Sequence, residues 1–378
     1  MKIYQVGGSI RDELIGITSD NDEIDWLVEG ATPEEMERLG YKLVGKDFPV
    51  FLHPETYEEY ALARTEKKSG TGYKGFEIFS DPNVTVKQDL FRRDLTINAI
   101  ARDNATGKII DPYCGMLDIK SKILRHISEH FSEDPLRVLR VARFYAKLFP
   151  YGFKVHPSTD QLIDTISNSG ELDALSNERK WIEVEKALSY EYSHEFFGFL
   201  AERGLLGMIY PPWNATLYHD LNLYSPSLFH GHKNQELLKL LTMIPLSKKI
   251  FKFDLTSNFI QNLIQTYPIQ KNAKTYIKIA FSLATNIYKD SIHPNEIIQL
   301  ADNTKVAHNQ NLIEDLKIFF HEINIEDKTI QLKSDWLIGL IINYTAALKS
   351  HIKKEDSIEK ITELKINIAS DLIGSTKL

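Results

Sequence analysis

The chain opens on two short motifs, Val-Gly-Gly-Ser-Ile-Arg-Asp at residues 6–12 and Glu-Ile-Asp-Trp-Leu-Val at residues 23–28. The apolar segment Ile3–Val6 runs into the glycine pair and predicts a strand followed by a tight turn. Glycines let the backbone approach a ligand closely, and the N-terminus of the short helix expected over residues 11–15 would offer N–H groups to an anion. The first motif therefore indicates an anion-binding turn between a strand and a helix.

The second motif supplies two carboxylates, Glu23 and Asp25, on a second apolar strand. Side chains two residues apart on a strand project from the same face, so both carboxylates can hold the same metal ions. Paired carboxylates beside a phosphate cradle are what magnesium-dependent nucleotidyl transfer requires. Taken alone, the glycine pair could equally be a plain turn and the carboxylates a solvated strand end.

Length and composition set wider bounds. A chain of 378 residues can form two or more domains, and 43% hydrophobic and 26% charged residues are ordinary for a globular protein. The net charge of −7 gives no overall basic signal, so a site for a polyanion would have to be a local patch. The lone Cys114 excludes a disulfide framework and favours a reducing cytoplasm. No signal peptide or membrane-spanning run is recognised, so no membrane partner is expected.

Residues 1–125 are predicted to mix α and β structure, because short apolar segments alternate with glycine, proline and asparagine. The segments expected to form strands are Ile3–Val6, Ile24–Val28, Val50–His53, Glu59–Arg64 and Ile109–Ile110. Residues 66–75 are polar, basic and glycine-rich and predict a loop, which could be a plain surface excursion or a functional element.

Residues 91–100 read Phe-Arg-Arg-Asp-Leu-Thr-Ile-Asn-Ala-Ile. Their apolar spacing predicts a partly buried helix with Arg92, Arg93 and Asp94 at its start. Asp94 could simply cap this helix, and the arginines could form a solvated face. Alternatively, arginine would take a triphosphate and Asp94 a ribose hydroxyl.

From about residue 126 the pattern becomes helical, and residues 135–144 predict a helix with a proline in its first turn. Its polar positions are spaced three apart and form one stripe, the arginine stripe: Asp134, Arg137, Arg140 and Arg143. Such a stripe is normally solvated, but charges on a helix otherwise this apolar are costly unless they are paired or liganded. A carboxylate beside an arginine offers both donors and acceptors, which is enough to read the edge of a nucleobase.

A further helix is predicted at Asn177–Leu188, with its Glu178 and Arg179 as a structural brace. Beyond residue 190 we expect an all-helical half with helices at Glu195–Leu206, Gln235–Thr242, Asn258–Thr266, Ala273–Thr285, Pro294–Leu300, Leu312–Phe320 and Trp336–Lys349. Such a half suits the gripping of a folded RNA, although a helical oligomerisation domain would look the same. The oligomeric state is not predicted. The pair His219-Asp220 is read as part of a loop, not as a phosphohydrolase dyad.

As an ordered set, these motifs resemble the class II tRNA nucleotidyltransferases, the family of CCA-adding enzymes and bacterial poly(A) polymerases, especially the gammaproteobacterial type. The resemblance runs from residue 1 to about 190 and rests on residues 6–12, 23–28, 45–50, 63–66, 92–99, 111–113, 133–137 and 178–181. It implies an α+β fold: a polymerase-β-type head at 1–125, a base-recognising neck at 126–190, a helical body at 191–270 and an RNA-binding helical tail at 271–378.

The resemblance also implies roles for individual residues of the head. Gly8 and Arg11 would bind the phosphates of the incoming nucleotide. Glu23 and Asp25 would be the catalytic carboxylates that hold Mg²⁺, and the loop at 66–76 would assist the switch to ATP.

Further roles are implied for the second group of motifs. Arg93 would contact the triphosphate and Asp94 the ribose. Asp134 and Arg137 would read the base edge of CTP and then ATP, and the other two arginines of the stripe would continue the nucleotide site.

The activity implied is template-independent addition of CCA to the 3′ end of tRNA from CTP and ATP, with Mg²⁺ as cofactor. The alternatives are a poly(A) polymerase or partial-CCA enzyme, and a non-catalytic RNA-binding paralogue. Glu23 departs from the aspartate usual in the family, and its extra methylene would lower activity if it disturbs the octahedral geometry that Mg²⁺ demands. Asp20 and Asp22 form a rival pair, and Glu59 is a candidate third carboxylate.

The gammaproteobacterial type often carries a phosphohydrolase domain with a His-Asp dyad. The nearest counterpart in this chain is Phe253-Asp254-Leu255, which lacks the histidine. No phosphohydrolase activity is therefore expected.

Overall fold

In the computed structural model of the chain, the described residues are 1–17, 24–44, 50–68, 76–213, 229, 232, 234–247, 249–305, 310–324, 326–353 and 357–375. They fall into two compact units, Met1–Glu183 and Val184–Leu378. Several residues singled out from the sequence lie outside the described residues: Asp20, Asp22, Glu23, residues 45–49, residues 69–75, His219 and Asp220.

The first unit is built on a mixed β-sheet. Its described strands are β1 (Lys2–Val6), β2 (Asp25–Glu29), β3 (Lys42–Val44), β4 (Val50–Leu52), β5 (Glu59–Leu62), β6 (Arg64–Lys68), β7 (Phe76–Ser80), β8 (Ala101–Asp103), β9 (Ile109–Ile110), β10 (Ile123–Leu124) and β11 (Lys154–Val155). Within the described part of the chain, the main sheet has the order β3-β4-β5-β2-β1-β8-β9, while β6-β7 and β10-β11 form separate pairs. β1 pairs antiparallel with β2 and β8, and β2 runs parallel to β5.

Seven described α-helices begin in this unit, and the last of them ends beyond Glu183: α1 (Gly8–Ile15), α2 (Pro33–Arg38), α3 (Val86–Phe91), α4 (Gly115–Ser121), α5 (Leu136–Leu148), α6 (Pro157–Asn168) and α7 (Asn177–Leu188). Alternation along the strands sends successive side chains to opposite faces of the sheet. Leu27 of β2 packs in a cluster that includes Leu90 of α3. Its neighbour Val28 packs in a second cluster with Met36 of α2 and Phe51 of β4. Both faces of the sheet are therefore covered.

Two local predictions for this unit are wrong. The helix expected to begin at Arg92–Asp94 and to continue to Ile100 is a single 3₁₀ turn, Thr96–Asn98, because Asp94 accepts hydrogen bonds from the N–H of Leu95 and the amide of Asn98. Residues 66–68, expected in a loop, belong to β6, which pairs antiparallel with β7 over Arg64–Lys68. The strand expected over Glu59–Arg64 is thus divided between β5 and β6.

The second unit is helical in its described residues. Its helices are α8 (Ser193–Glu202), α9 (Leu206–Ile209), α10 (Gln235–Thr242), α11 (Phe253–Thr266), α12 (Lys271–Ile287), α13 (Pro294–Thr304), α14 (Gln310–Glu322), α15 (Lys328–His351) and α16 (Ile358–Ser375). The expected helical half is confirmed, with Gln235–Thr242 exact and most of the others extended at their ends. No helix in the described ranges is long and apolar enough to cross a membrane.

Candidate active site

A turn at Gly7 brings the end of the first strand close to the carboxylate that begins the second. Val6 of β1 pairs with Asp25 of β2, so Asp25 lies beside the point where the chain leaves the sheet. Gly7 has φ 79°, and a Cβ there would lie 3.1 Å from Nη1 of Arg93 and 3.5 Å from Oδ2 of Asp25. The positive φ therefore favours glycine at this position, and a Cβ would in addition crowd the end of the Arg93 side chain.

A cleft of about 590 Å³ in the first unit gathers the candidate residues. Every predicted site residue that the structure describes lines it: Gly8, Arg11, Asp25, Arg93, Asp94, Asp134, Arg137, Arg140 and Arg143. Their roles stay predictions, but the fold brings together four motifs that are far apart in the sequence.

Glu59, the candidate third carboxylate, lines the same cleft. Strand β5 runs parallel to β2 with Tyr60 opposite Trp26. Glu59 and Asp25 each precede those residues by one, so they stand side by side where the two strands begin. Both are exposed.

The cleft is basic although the chain as a whole is acidic. Counted over the described residues, its lining carries eight arginines and four carboxylates, against a net charge of −7 for the chain. Arginine forks match the oxygens of phosphates in planar, bidentate pairs. The local positive charge therefore suits a polyphosphate. It is also the local basic patch that the acidic composition of the chain requires of any site for a polyanion.

Asp94 lies at the centre of a buried network. It is 4% exposed; its Oδ2 accepts from Nε of Arg140 at 2.7 Å, and its Oδ1 accepts from Nδ2 of Asn98 at 2.9 Å. Burial alone would raise the pKa of Asp94, but the guanidinium of Arg140 and the hydrogen bond from Asn98 hold this pKa well below its ordinary value. The carboxylate is therefore ionised and acts as an acceptor.

The arginine stripe is paired, not solvated. Arg143, 6% exposed, donates from Nε to the buried carboxylate of Glu183. Burial would lower the pKa of Arg140, but Asp94 and Glu183 raise it above its ordinary value. The alternative interpretation, in which the stripe is a solvated face, is thus wrong. The ion pairs offset the free energy that burying these charges would otherwise cost.

At the beginning of α5, the stripe's other two members are fixed in different ways. Asp134 accepts from Nη1 and Nη2 of Arg179 at 3.2 and 2.8 Å. Arg137 donates to the backbone carbonyls of His130 at 2.7 Å and Arg92 at 2.6 Å. The predicted brace at Arg179 therefore acts on Asp134, one of the two candidate base-reading residues.

Arg11 is held from two sides. Its Nε and Nη2 donate to the carboxylate of Asp12, each at 2.9 Å, and its Nη1 donates to Oδ1 of Asn98 at 2.6 Å. Asp12 also accepts from Nζ of Lys147 on α5 at 2.7 Å. These bonds fix α1 to α5 across the cleft wall.

Phe144 provides an aromatic centre for three guanidinium groups. The Cζ atoms of Arg143, Arg11 and Arg140 lie 4.3, 5.0 and 5.6 Å from its ring centroid. The negative face of an aromatic ring attracts such cations at these distances. The ring therefore helps to hold like charges together in one wall.

Sequence reasoning missed several residues that shape this site: Asp12, Arg64, Asp89, Asn98, Phe144 and Glu183. Asp12 and Asn98 were visible as members of quoted motifs. Asp89 and Glu183 carry no local signal, because each is recognised only by the arginines that the fold brings to it.

The carboxylates of the cleft fit a hard divalent cation. Asp25 and Glu59 present exposed oxygen donors on adjacent strands, and carboxylate oxygens are the ligands that Mg²⁺ prefers. Within the described residues, no three histidine, cysteine, aspartate or glutamate side chains form a metal-binding group. Glu23, the other predicted ligand, lies outside those residues.

Two parts of the chain match known protein-family models. Residues 3–125 match the family model described as the poly A polymerase head domain, and residues 152–217 match the model described as the probable RNA and SrmB-binding site of polymerase A. Residues 3–125 thus form a head domain of the poly A polymerase type, and nucleotidyltransferases with such a head generally use a divalent metal.

Two curated relatives are multifunctional CCA proteins of Acinetobacter baumannii, strains SDF and AYE. Each is 57% identical over 215 residues, which cover 57% of this chain and 52% of the relative. The chain spans about half the length of the curated relatives it matches. Over the matched residues it is similar to poly A polymerase head domains and to multifunctional CCA proteins.

Solved structures extend the likeness of fold over the whole chain. A CCA-adding enzyme in complex with ATP aligns over 100% of this chain and 87% of its own, with a TM-score of 0.67 and 22% identity. The Thermotoga maritima CCA-adding enzyme complexed with tRNA aligns over 100% and 88%, with a TM-score of 0.63 and 20% identity. At these identities the likeness establishes the fold, which is the α+β architecture expected from the sequence.

Proposed function

We propose that this chain is a template-independent tRNA nucleotidyltransferase that adds CCA to the 3′ ends of tRNA from CTP and ATP. One observation carries the proposal: an arginine-lined cleft holds an exposed carboxylate, Asp25, beside a strand–glycine–helix turn. Two findings support it: the relatives are named multifunctional CCA proteins, and the chain has the fold of CCA-adding enzymes whose structures were solved in complex with CTP, ATP or tRNA. A cytoplasmic location is part of the same proposal.

Asp25 and Glu23 would hold Mg²⁺, with Glu59 as the third oxygen donor. When bound, the ions supply a stabilised nucleophile from the RNA 3′-hydroxyl and neutralise charge on the departing pyrophosphate. Gly8, Arg11 and Arg93 would orient the triphosphate. Asp20 and Asp22 stay the rival pair of carboxylates.

Asp94 and the arginine stripe would select the nucleotide. The ionised Asp94 carboxylate can accept a hydrogen bond from a ribose hydroxyl. Asp134 and Arg137 would read the edge of the base, and Arg140 and Arg143 would support them. The division into head, neck, body and tail at residues 125, 190 and 270 is part of the same proposal.

Extension of a tRNA transcript that lacks its 3′ end tests the proposal. The purified chain receives Mg²⁺ with CTP, ATP or both, and the products are read at single-nucleotide resolution. Addition of two C residues and then one A is the expected result.

The alternatives give different products in the same assay. The matching family models are described for poly A polymerase, and a run of A from ATP alone would support that activity. No extension of a bound tRNA would indicate the non-catalytic paralogue and overturn the proposal.

A further inference from the structure

Asp89 on α3 is the most deeply buried carboxylate near the cleft, and the proposed reaction assigns it no role. Its side chain is 0% exposed. Its Oδ1 accepts from Nε and Nη2 of Arg92 at 3.0 and 2.9 Å. Its Oδ2 accepts from Nε and Nη2 of Arg93 at 3.4 and 3.3 Å. One carboxylate thus accepts hydrogen bonds from the Nε–Nη2 edge of two consecutive arginines. Both arginines line the cleft.

A third arginine of the cleft is tied to the same group through its backbone. The N–H of Arg64, the first residue of β6, donates to Oδ1 of Asp89 at 3.3 Å. Burial would raise the pKa of Asp89, but the charges of Arg92, Arg93 and Arg64 lower it below its ordinary value. An ionised carboxylate therefore joins the end of α3 to the beginning of β6.

The Nη1 atom of Arg93, which Asp89 does not contact, is directed at the Gly7 turn beside Asp25. Nη1 of Arg93 donates to the carbonyl of Asn98 at 3.5 Å. It also lies 3.1 Å from the position that a Cβ on Gly7 would take, and Oδ2 of Asp25 lies 3.5 Å from that same point. Arg92 is held in addition by its carbonyl, which accepts from Arg137.

The geometry points to Asp89 as a positioning residue that sets the guanidinium forks of Arg92 and Arg93 for the triphosphate of the incoming nucleotide. This inference rests on the proposed nucleotidyl transfer. It adds a residue outside the cleft lining, which acts on phosphate recognition and has no part in base choice.

Positioning and simple charge balance make opposite predictions. If Asp89 only damped the positive charge of the cleft, its neutralisation would strengthen triphosphate binding. If it aligns the forks, neutralisation releases them and weakens triphosphate binding, because bidentate charge-assisted bonds depend on geometry. Asp89→Asn separates the two, since Asn is similar in size and uncharged.

The test measures CTP and CMP binding to the full chain by calorimetry in the presence of Mg²⁺. For Asp89→Asn we expect CTP affinity to fall about tenfold to hundredfold, with CMP affinity unchanged, in line with the loss of hydrogen bonds to charged groups. In tRNA extension, KM should rise by the same factor for CTP and ATP, because both nucleotides carry the same triphosphate.

Asp118→Asn is the matched control. Asp118 is also buried and accepts from a guanidinium, that of Arg125, and from the hydroxyl of Thr96. Arg125 does not line the cleft. This variant should show a comparable loss of thermal stability with an unchanged ratio of CTP to CMP affinity.

An unchanged ratio in Asp89→Asn, or tighter CTP binding, overturns the inference. If Asp89→Asn does not fold, Asp89→Glu is measured in its place. Glutamate keeps the negative charge but displaces it by one methylene, so a weaker affinity for CTP with unchanged affinity for CMP would still indicate positioning. A parent chain that binds no CTP overturns the proposed function itself. A parent chain that adds CCA while Asp89→Asn behaves identically overturns only the inference.

Discussion

The first unit buries charged side chains in quantity, whereas the second is filled mainly by aliphatic and aromatic side chains. Among the described residues, nine charged side chains are buried in the first unit, and Lys239 is the one in the second. Lys239 donates to the backbone carbonyls of Leu188 and Tyr190. Buried ion pairs contribute little or nothing to stability compared with apolar packing. The difference therefore separates a unit arranged around a site from one arranged around a core.

Asp25→Asn should give the largest effect. Incorporation of nucleotides is expected to fall about a thousandfold, because a metal ligand, the role proposed for Asp25, contributes several kcal/mol to the stabilisation of the transition state. Asp25 is exposed, so thermal stability and tRNA binding should be unchanged. Single-turnover extension and filter binding measure the two properties.

Glu37→Gln, which neutralises an exposed carboxylate of α2 outside the cleft lining, is the control. It should retain full activity. Activity of Asp25→Asn close to that of this control would show that catalysis does not depend on the carboxylate at the Gly7 turn.

Glu183→Gln and Leu316→Ala should lower stability similarly but differ in function. The first leaves Arg143 without its carboxylate and the second opens a cavity in α14, and each should cost about 3 kcal/mol of unfolding free energy. Because Arg140 and Arg143 line the cleft, only Glu183→Gln should weaken CTP binding. Urea unfolding and calorimetry provide the comparison. Equal losses of CTP affinity in both variants would contradict the claim that the buried charges of the first unit serve the nucleotide site while the apolar core of the second unit serves stability.

Acid should weaken the first unit through Asp94. Its pKa is lowered in the folded state, so its contribution to stability is present above the unfolded value of about 3.9 and is lost as pH falls toward the folded value. Asp94→Asn should therefore flatten the fall in unfolding free energy below about pH 5. The measurement is urea unfolding at a series of pH values. A parent and variant with parallel acid curves would contradict the assignment.

Alkali should act on the second unit through Tyr344, with the smallest effect of the four. Burial, with the charge of Asp302, raises the pKa of Tyr344 to about 12. Its contribution is present below the unfolded value of about 10 and is lost as pH rises through the folded value. Tyr344→Phe should remove that loss and be nearly neutral at pH 7, because within the described residues the buried hydroxyl has no hydrogen-bond partner. Unfolding curves at pH 8 to 12 that match those of the parent would count against this.

The spacing of apolar residues along the sequence predicted many of the helices and strands. The apolar spacing of Asn177–Leu188 and Gln235–Thr242 predicts both helices at their observed ends. The strand at Ile3–Val6 is found as β1, Lys2–Val6. These elements are decided by side chains a few residues apart, so the sequence contains what they need.

What the sequence did not predict depends on distant partners. The residues after Asp94 form a 3₁₀ turn instead of a helix. The Asp94 carboxylate accepts hydrogen bonds from the N–H of Leu95 and from the distant Arg140, and only the first of these partners is close in the sequence. Asp89 drew no prediction from the sequence, and its burial is explained only by the two arginines that donate to it in the fold. Helix α16, Ile358–Ser375, was missed altogether.

The contrast between Arg137 and Asp134, to which we assign the reading of the base in the proposed function, bears on how nucleotide choice would change over evolution. Arg137 is tied to two backbone carbonyls, which no substitution elsewhere can replace by another group. Asp134 is tied to a side chain, Arg179, that can be exchanged together with it. Selection of this chain for altered base preference should therefore accumulate paired changes at positions 134 and 179, with position 137 left as it is.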